Sequence, residues 1–113
     1  MAKITVTRPE FNPVLAPDPN ILWEAKASFN PSLIFENDKF KMLYRALSIP
    51  LNYQGQQLNL STVGYAESLD GQKFTGKRQL VVPTEPYEVL GCEDPRLTKI
   101  DDEYFIFYTA LSA

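Results

Sequence analysis

The residues best suited to chemistry stand in one short block, Gly91-Cys92-Glu93-Asp94-Pro95-Arg96, ahead of an apolar run. Two adjacent carboxylates with a guanidinium close behind can bind a polar ligand, move a proton, or pair with one another. Pro95 disfavours helical backbone at Asp94 and predicts an extended conformation there, at the entrance to a strand. Asn30 precedes Pro31 in the same way, 64 residues earlier. Asn30 and Asp94 either point at one ligand or serve as turn-forming residues that close strand entrances. Arg45, in Tyr44-Arg45-Ala46, is a charge embedded in an apolar strand. It needs a carboxylate or a ligand oxyanion as partner, unless strand alternation turns its head to solvent.

Strands must position these groups. Nine prolines and five glycines break the chain into short apolar segments, which argues against long helices. Residues 29–35, 40–46, 62–66, 80–82, 97–100 and 104–110 are rich in Val, Ile, Leu, Phe, Tyr and Thr and read as strands. Polar turns separate them at Glu36-Asn37-Asp38, Leu69-Asp70-Gly71 and Asp101-Asp102-Glu103. Asp70-Gly71 is the strongest of these, because glycine accepts the positive φ of a tight turn. Ile4-Thr5-Val6-Thr7 is a further short strand candidate, and residues 21–27 have room for one helical turn at most. The expected fold class is all-β.

An internal repeat organises these strands. Residues 29–48, FNPSLIFENDKFKMLYRALS, align without gaps on residues 93–112, EDPRLTKIDDEYFIFYTALS. Pro31, Leu33, Asp38, Tyr44, Ala46, Leu47 and Ser48 match Pro95, Leu97, Asp102, Tyr108, Ala110, Leu111 and Ser112. A fixed-period strand–turn–strand unit is the signature of propellers and related arrays, whose blades commonly repeat at ~40–45 residues. The polar loop Asn52-Tyr53-Gln54-Gly55-Gln56-Gln57 accounts for part of the longer period here. One repeat holds four strands, the outermost near residues 79–82, as one propeller blade does. The expected organisation is an amino-terminal segment (1–28), a first blade repeat (29–92) and the first half of a second (93–113). Half a blade presents an unpaired edge and an uncovered apolar face. The expectation is therefore a fragment, a truncated reading frame or an obligate homo-oligomer.

Composition narrows the function. Eleven basic against fourteen acidic residues give a net charge of −3 with no basic stripe, which argues against nucleic acid and anionic membranes. The absence of histidine excludes Ser-His, Cys-His and His-zinc sites within the chain. No metal site is expected. Cys92 is the only cysteine, so no intrachain disulfide forms, which fits a reducing compartment. With no apolar leader and no membrane-length apolar run, the expected location is cytoplasmic.

One family carries these features together. The segments Trp23-Glu24, Phe29-Asn30-Pro31, Leu43-Tyr44-Arg45-Ala46, Gly64-Tyr65-Ala66-Glu67-Ser68-Leu69-Asp70-Gly71, Gly91-Cys92-Glu93-Asp94-Pro95-Arg96 and Tyr108-Thr109-Ala110 stand in order and spacing. Over residues 12–113 this resembles the amino-terminal part of the β-mannoside phosphorylases of glycoside hydrolase family 130. The resemblance implies a five-bladed β-propeller, of which this chain covers about one and a half blades. It also implies inverting phosphorolysis of a β-mannoside, with a mannose-containing oligosaccharide and inorganic phosphate as substrates and no other cofactor.

On that resemblance Asp94 is the general acid, acting through a hydroxyl of the neighbouring sugar, with Glu93 as the neighbour that tunes it. Asn30 and Arg45 bind the mannosyl unit, and Glu93 and Arg96 complete the substrate-binding set. Phosphate brings its own nucleophilic oxygen, so no second carboxylate base is required. A β-mannosidase of the same fold and a non-catalytic or inactive sugar-binding propeller are the alternatives. Asp18-Pro19-Asn20 resembles the nucleophile segment of invertase- and arabinanase-like propellers but lacks the glycine that follows it there.

Overall fold

A strand covered on both faces carries apolar side chains at consecutive positions. Met42-Leu43-Tyr44-Arg45-Ala46-Leu47 is such a run but for Arg45, and it lies in an interior strand of the sheet. The computed structural model describes residues 2–53 and 55–112; Met1 of the amino-terminal segment, Gln54 of the polar loop and Ala113 of the second repeat lie outside them. Its strands are β1 (Ala27–Glu36), β2 (Lys39–Tyr53), β3 (Gln56–Ser68), β4 (Thr75–Val81), β5 (Gly91–Ile100) and β6 (Glu103–Leu111). The chain is all-β apart from a one-turn 3₁₀ helix at Pro86–Glu88. β1, β2, β3 and β4 pair antiparallel in sequence order, and β5–β6 form a hairpin joined to β3 by one parallel bridge, Ser61 to Gly91.

Alternation along β2 sends its side chains to two separate cores. Met42, Tyr44 and Ala46 pack with Ala66 under Val14, Leu15, Trp23 and Phe74, so the amino-terminal segment covers that face. Leu43 packs with Val63 and Cys92 under Leu97, Ile106 and Tyr108, so the second hairpin covers the other.

The two hairpins share one geometry. Eight cross-strand pairs join β1 to β2, from Ala27–Leu47 to Glu36–Lys39, and eight join β5 to β6. Adding 64 to both members of every pair in the first set gives the second. The likeness extends upstream of the aligned sequence. The Tyr44 hydroxyl donates to Glu24, and the Tyr108 hydroxyl donates to Glu88. The Lys26 amide bonds the Leu47 carbonyl, and the Leu90 amide bonds the Leu111 carbonyl. Side chains around those glutamates differ, Trp23 against Tyr87 for example, so residue matching alone does not extend the repeat that far.

Three expectations are corrected. Residues 4–7 form no strand, and Ile4 and Val6 are both 86% exposed, because no neighbouring strand offers them a ladder. The fourth strand is β4, which begins at Thr75 rather than near residue 79. The polar loop is mostly ladder: Asn52 pairs with Gln57 and Tyr53 with Gln56, since backbone hydrogen bonds form regardless of side-chain polarity.

Tyr44 is fully buried, donates to Glu24 Oε1 at 2.6 Å, and lies across its cross-strand partner Gly64. A Cβ on Gly64 would sit 2.5 Å from the Tyr44 ring, and the bond to Glu24 stops the ring from swinging away. Gly64→Ala should therefore cost about 1–3 kcal/mol, the usual penalty of overpacking. The measurement is the urea midpoint, and an unchanged midpoint would show that the ring gives way freely.

Candidate functional site

The backbone explains why Asn30 and Asp94 are the residue types they are. Neither is extended: φ is 50° at Asn30 and 54° at Asp94, in the left-handed region. Each lies in a register shift, between Phe29 and Ser32 in β1 and between Glu93 and Arg96 in β5, where one strand carries an extra residue. The preference that proline imposes on its predecessor thus loses to the bulge. Asn and Asp tolerate the left-handed region better than other side-chain-bearing residues, whose Cβ meets the next carbonyl.

The same bulges turn the two side chains toward one another. Asn30 Nδ2 donates to Asp94 Oδ1 at 2.7 Å, a bond between the two hairpins that stays exposed to solvent. Both are bulge residues, and their side chains meet at one point.

Arg45 completes the cluster from β2. It shares the face of Leu43, which packs on the second hairpin, so its head meets that hairpin rather than open solvent. One guanidinium nitrogen lies 2.6 Å from Glu93 Oε2, and the other lies 3.7 Å from Asp94 Oδ1. The Glu93 contact is an ion pair without hydrogen-bond alignment, since Oε2 is buried yet accepts no well-directed donor. Arg45 Nε donates to Ser61 Oγ at 2.9 Å, and Arg45 Cζ lies 4.8 Å from the centre of the Phe29 ring. The guanidinium is thus held on an aromatic face, between two carboxylates.

The five sequence-derived candidates do not all converge. Asn30, Arg45, Glu93 and Asp94 meet. Arg96 is exposed and donates to the carbonyl of its neighbour Pro95 at 2.7 Å, outside the ion-pair cluster. Sequence reading missed Phe29 and Ser61, because strand membership says nothing about which residues face one another across hairpins. It also left Gly91 unexplained. A Cβ there would sit 3.0 Å from the Ser61 carbonyl oxygen, and φ is 135°, so glycine lets β5 approach β3. Ser32 adds a further link, its hydroxyl accepting the Leu97 amide at 2.9 Å.

The surface these groups form is open. Asp94 is the more accessible carboxylate, with 37% of its side chain exposed against 15% for Glu93. Among the described residues Asp94 Oδ2 accepts no hydrogen bond, which leaves that oxygen available to a ligand. A hollow of about 500 Å³ lined by Pro13, Val14, Phe29, Pro31 and Tyr44 shares Phe29 with the cluster. Among the described residues no three His, Cys, Asp or Glu side chains converge as metal ligands. Amide and guanidinium donors beside an acceptor carboxylate suit a polyhydroxylated ligand, whose hydroxyls both donate and accept.

Several ionisable groups of the fold make its stability depend on pH. The Thr84 amide, the Tyr108 hydroxyl and the Glu85 amide hold the Glu88 carboxyl below its ordinary 4.5. Lys99 and Lys41 do the same for Glu36. Backbone amides of Lys73 and Gln72 and the Ser68 hydroxyl draw Asp70 down to about 2. These groups stabilise the fold above their ordinary values, and the contribution is lost as pH falls through the lowered ones. Burial and then Glu24 raise the Tyr44 phenol, while Glu88 and then burial push Tyr108 up to about 12. Their contribution is complete below the ordinary 10.0 and is lost as pH rises through the raised values. Urea midpoints should therefore form a plateau that falls below 4.5 and above 10.0; a midpoint that keeps rising toward acid would contradict the assignment.

Comparisons with known proteins converge on one family. Residues 5–113 match the model of glycoside hydrolase family 130, described as β-1,4-mannooligosaccharide phosphorylase. A β-1,2-mannobiose phosphorylase of Thermoanaerobacter sp. (strain X514) is 38% identical over 110 residues, covering 92% of this chain and 36% of that protein. A 1,2-β-oligomannan phosphorylase of the same strain is 39% identical over 108 residues, covering 94% of this chain and 36% of that protein. The crystal structure of a glycosyl hydrolase from Bacteroides ovatus superposes with a TM-score of 0.77 at 31% identity, covering 93% of this chain and 34% of that one. The chain thus spans little more than a third of the length of the curated relatives it matches.

Proposed function

The chain belongs to glycoside hydrolase family 130, and from that premise we propose that it carries the mannosyl-binding and proton-donating part of an inverting β-mannoside phosphorylase. The observation that carries this reading is the convergence of Asn30, Arg45, Glu93 and Asp94 from three strands onto one exposed point. Asn30 and Arg45 donate to hydroxyls of the mannosyl unit, displacing part of their contact with Asp94. Arg96, at the rim, is the remaining substrate-binding candidate.

In the proposed reaction a phosphate oxygen attacks the anomeric carbon from the face opposite the leaving sugar. The bond from that carbon to the glycosidic oxygen breaks, and its electron pair stays on the oxygen. Asp94, protonated, supplies the proton to that oxygen through a hydroxyl of the sugar. Inversion of a β-mannoside yields α-mannose 1-phosphate and a shortened acceptor. The substrates are a mannose-containing oligosaccharide and inorganic phosphate, with no other cofactor, no nucleic acid and no membrane.

A second reading, hydrolysis at the same site, is favoured by one observation, the superposition on a protein described as a glycosyl hydrolase. Water then replaces phosphate as nucleophile. The wider architecture we propose is a five-bladed propeller: β1–β4 form one blade and β5–β6 begin the next, each repeat (29–92 and 93–113) starting two residues inside its first strand. No helix among the described residues is long and apolar enough to cross a membrane, and cytoplasmic location is part of the proposal. So is a homo-oligomer, because among the described residues β6 pairs on one side only and exposes Phe105 and Phe107. Light scattering that shows a monodisperse monomer at high protein concentration would remove that part.

The catalytic test is release of mannose 1-phosphate from a β-linked mannobiose by the polypeptide that carries this segment. Asp94→Asn should lower kcat by about 10²–10⁴-fold, the usual worth of positioned proton transfer. The melting temperature should hold, because Asn also accepts the left-handed backbone of the bulge. Arg45→Ala should raise KM more than it lowers kcat. Full turnover by Asp94→Asn would leave Asp94 a bulge residue only.

A further inference from the structure

We propose that Ser61 is a positioning residue for the sugar-binding guanidinium: its hydroxyl oxygen accepts a hydrogen bond from Arg45 Nε–H and so aims the two terminal nitrogens at Glu93 and Asp94. Three observations carry this. Ser61 is 3% exposed, and its Oγ accepts Arg45 Nε–H at 2.9 Å. Nε lies at the root of the planar guanidinium, so fixing its N–H direction fixes the plane of the whole group. Those terminal nitrogens then reach Glu93 at 2.6 Å and Asp94 at 3.7 Å.

Ser61 also sets the distance over which that aim must work. Its backbone forms the parallel bridge to Gly91, the one ladder contact between β3 and β5. Gly91 starts the strand that carries Glu93 and Asp94. A single residue therefore fixes the direction of the cation through its side chain and the approach of the anions through its main chain. Without the hydroxyl, Arg45 would keep the Phe29 face and the Glu93 ion pair. Neither contact holds Nε: the ring acts on Cζ from one face, and Glu93 pairs with one terminal nitrogen without hydrogen-bond alignment.

Replacing Ser61 by Ala removes the hydroxyl and keeps the main-chain bridge, so the two roles separate. The first readout is exchange of the Arg45 Nε proton with water, followed by nitrogen-resolved magnetic resonance of the chain. Ser61→Ala should speed that exchange about tenfold, the worth of one hydrogen bond from a charged donor. Ser61→Thr, which keeps the hydroxyl, should restore slow exchange if the fold accepts the methyl. Unchanged exchange in a folded Ser61→Ala chain would overturn the proposal, since a merely structural serine leaves that proton alone.

The link to sugar binding rests on the proposed function, and a second readout separates the two ideas. In the phosphorolysis assay Ser61→Ala should raise KM for the mannobiose several-fold, with kcat changing less. Faster exchange together with an unchanged KM would uphold Ser61 as the residue that aims Arg45, and would instead remove Arg45 from mannoside binding.

Discussion

A carboxylate taken out of water must be matched by donors, and the fold is arranged around two such groups. Glu24 is fully buried and accepts from the Tyr44 hydroxyl, the Asp18 amide and the Lys77 ammonium, at 2.6, 2.7 and 2.6 Å. These partners come from the amino-terminal segment, an interior strand of the sheet and its outer strand β4. Lys77 also donates to the Ala16 carbonyl, which ties that segment down a second time. Removing any one partner would leave a buried charge short of a donor, a cost well above that of a lost surface contact. The need also fixes Tyr44, and through it the glycine opposite. Glu88 repeats the arrangement for the second hairpin, with Thr84, Glu85 and Tyr108 as donors. In each hairpin a buried glutamate just upstream anchors the tyrosine of the second strand, which holds the bulge-bearing first strand against it.

Those bulges connect stability with chemistry. A left-handed residue in a strand interrupts the ladder, and its side chain leaves the ordinary alternation. Repeating the bulge after 64 residues puts Asn30 and Asp94 on neighbouring hairpins at equivalent places, which is why they can touch. A pair of equivalent positions, one amide and one carboxylate, gives a donor and an acceptor where two identical residues would give a repulsion or a redundancy. Arg45 breaks the equivalence further, since Thr109 stands at its place in the second hairpin. The repeat thus supplies the geometry, and the differences between its copies supply the polarity of the site.

The second hairpin is held to the rest of the sheet by several small contacts rather than by a continuous ladder. Ser61–Gly91 is the single bridge, Ser32 bonds the Leu97 amide, and Glu36 lies between Lys41 and Lys99, each at 3.0 Å. Both of those lysines also lie near the Tyr104 ring, at 5.3 and 5.6 Å. Leu43, Val63 and Cys92 form the apolar part of the junction. Burial and the charge of Glu88 push the Cys92 thiol up to about 11. It is therefore a packing residue rather than a nucleophile.

The sequence by itself determined the all-β class, the positions of most strands and turns, and the repeat; it misplaced a strand at residues 4–7, the start of β4 and the ladder across the polar loop. What it determined is written in local patterns: alternation, Asx-Gly turns, and residues recurring at a fixed spacing. It also marked Asn30, Arg45, Glu93 and Asp94, because a charge or an Asx residue in an apolar strand is conspicuous wherever it points. Only the tertiary structure decided what those groups meet. Pro95 argued for an extended Asp94, and the bulge overrode it, since register across a hairpin is a pairwise property absent from either strand alone. Glu24 and Glu88 read as ordinary polar residues until burial made them the anchors of their hairpins. Ser61 drew no notice in an apolar strand, for nothing local says that its hydroxyl faces Arg45. Arg96, for all its place in the block, stays outside the ion-pair cluster and bonds its own neighbour. Local sterics and patterning fix where the chain bends and which way each strand faces. Which side chains become partners depends on how two hairpins dock, and that is settled by contacts between residues far apart in sequence.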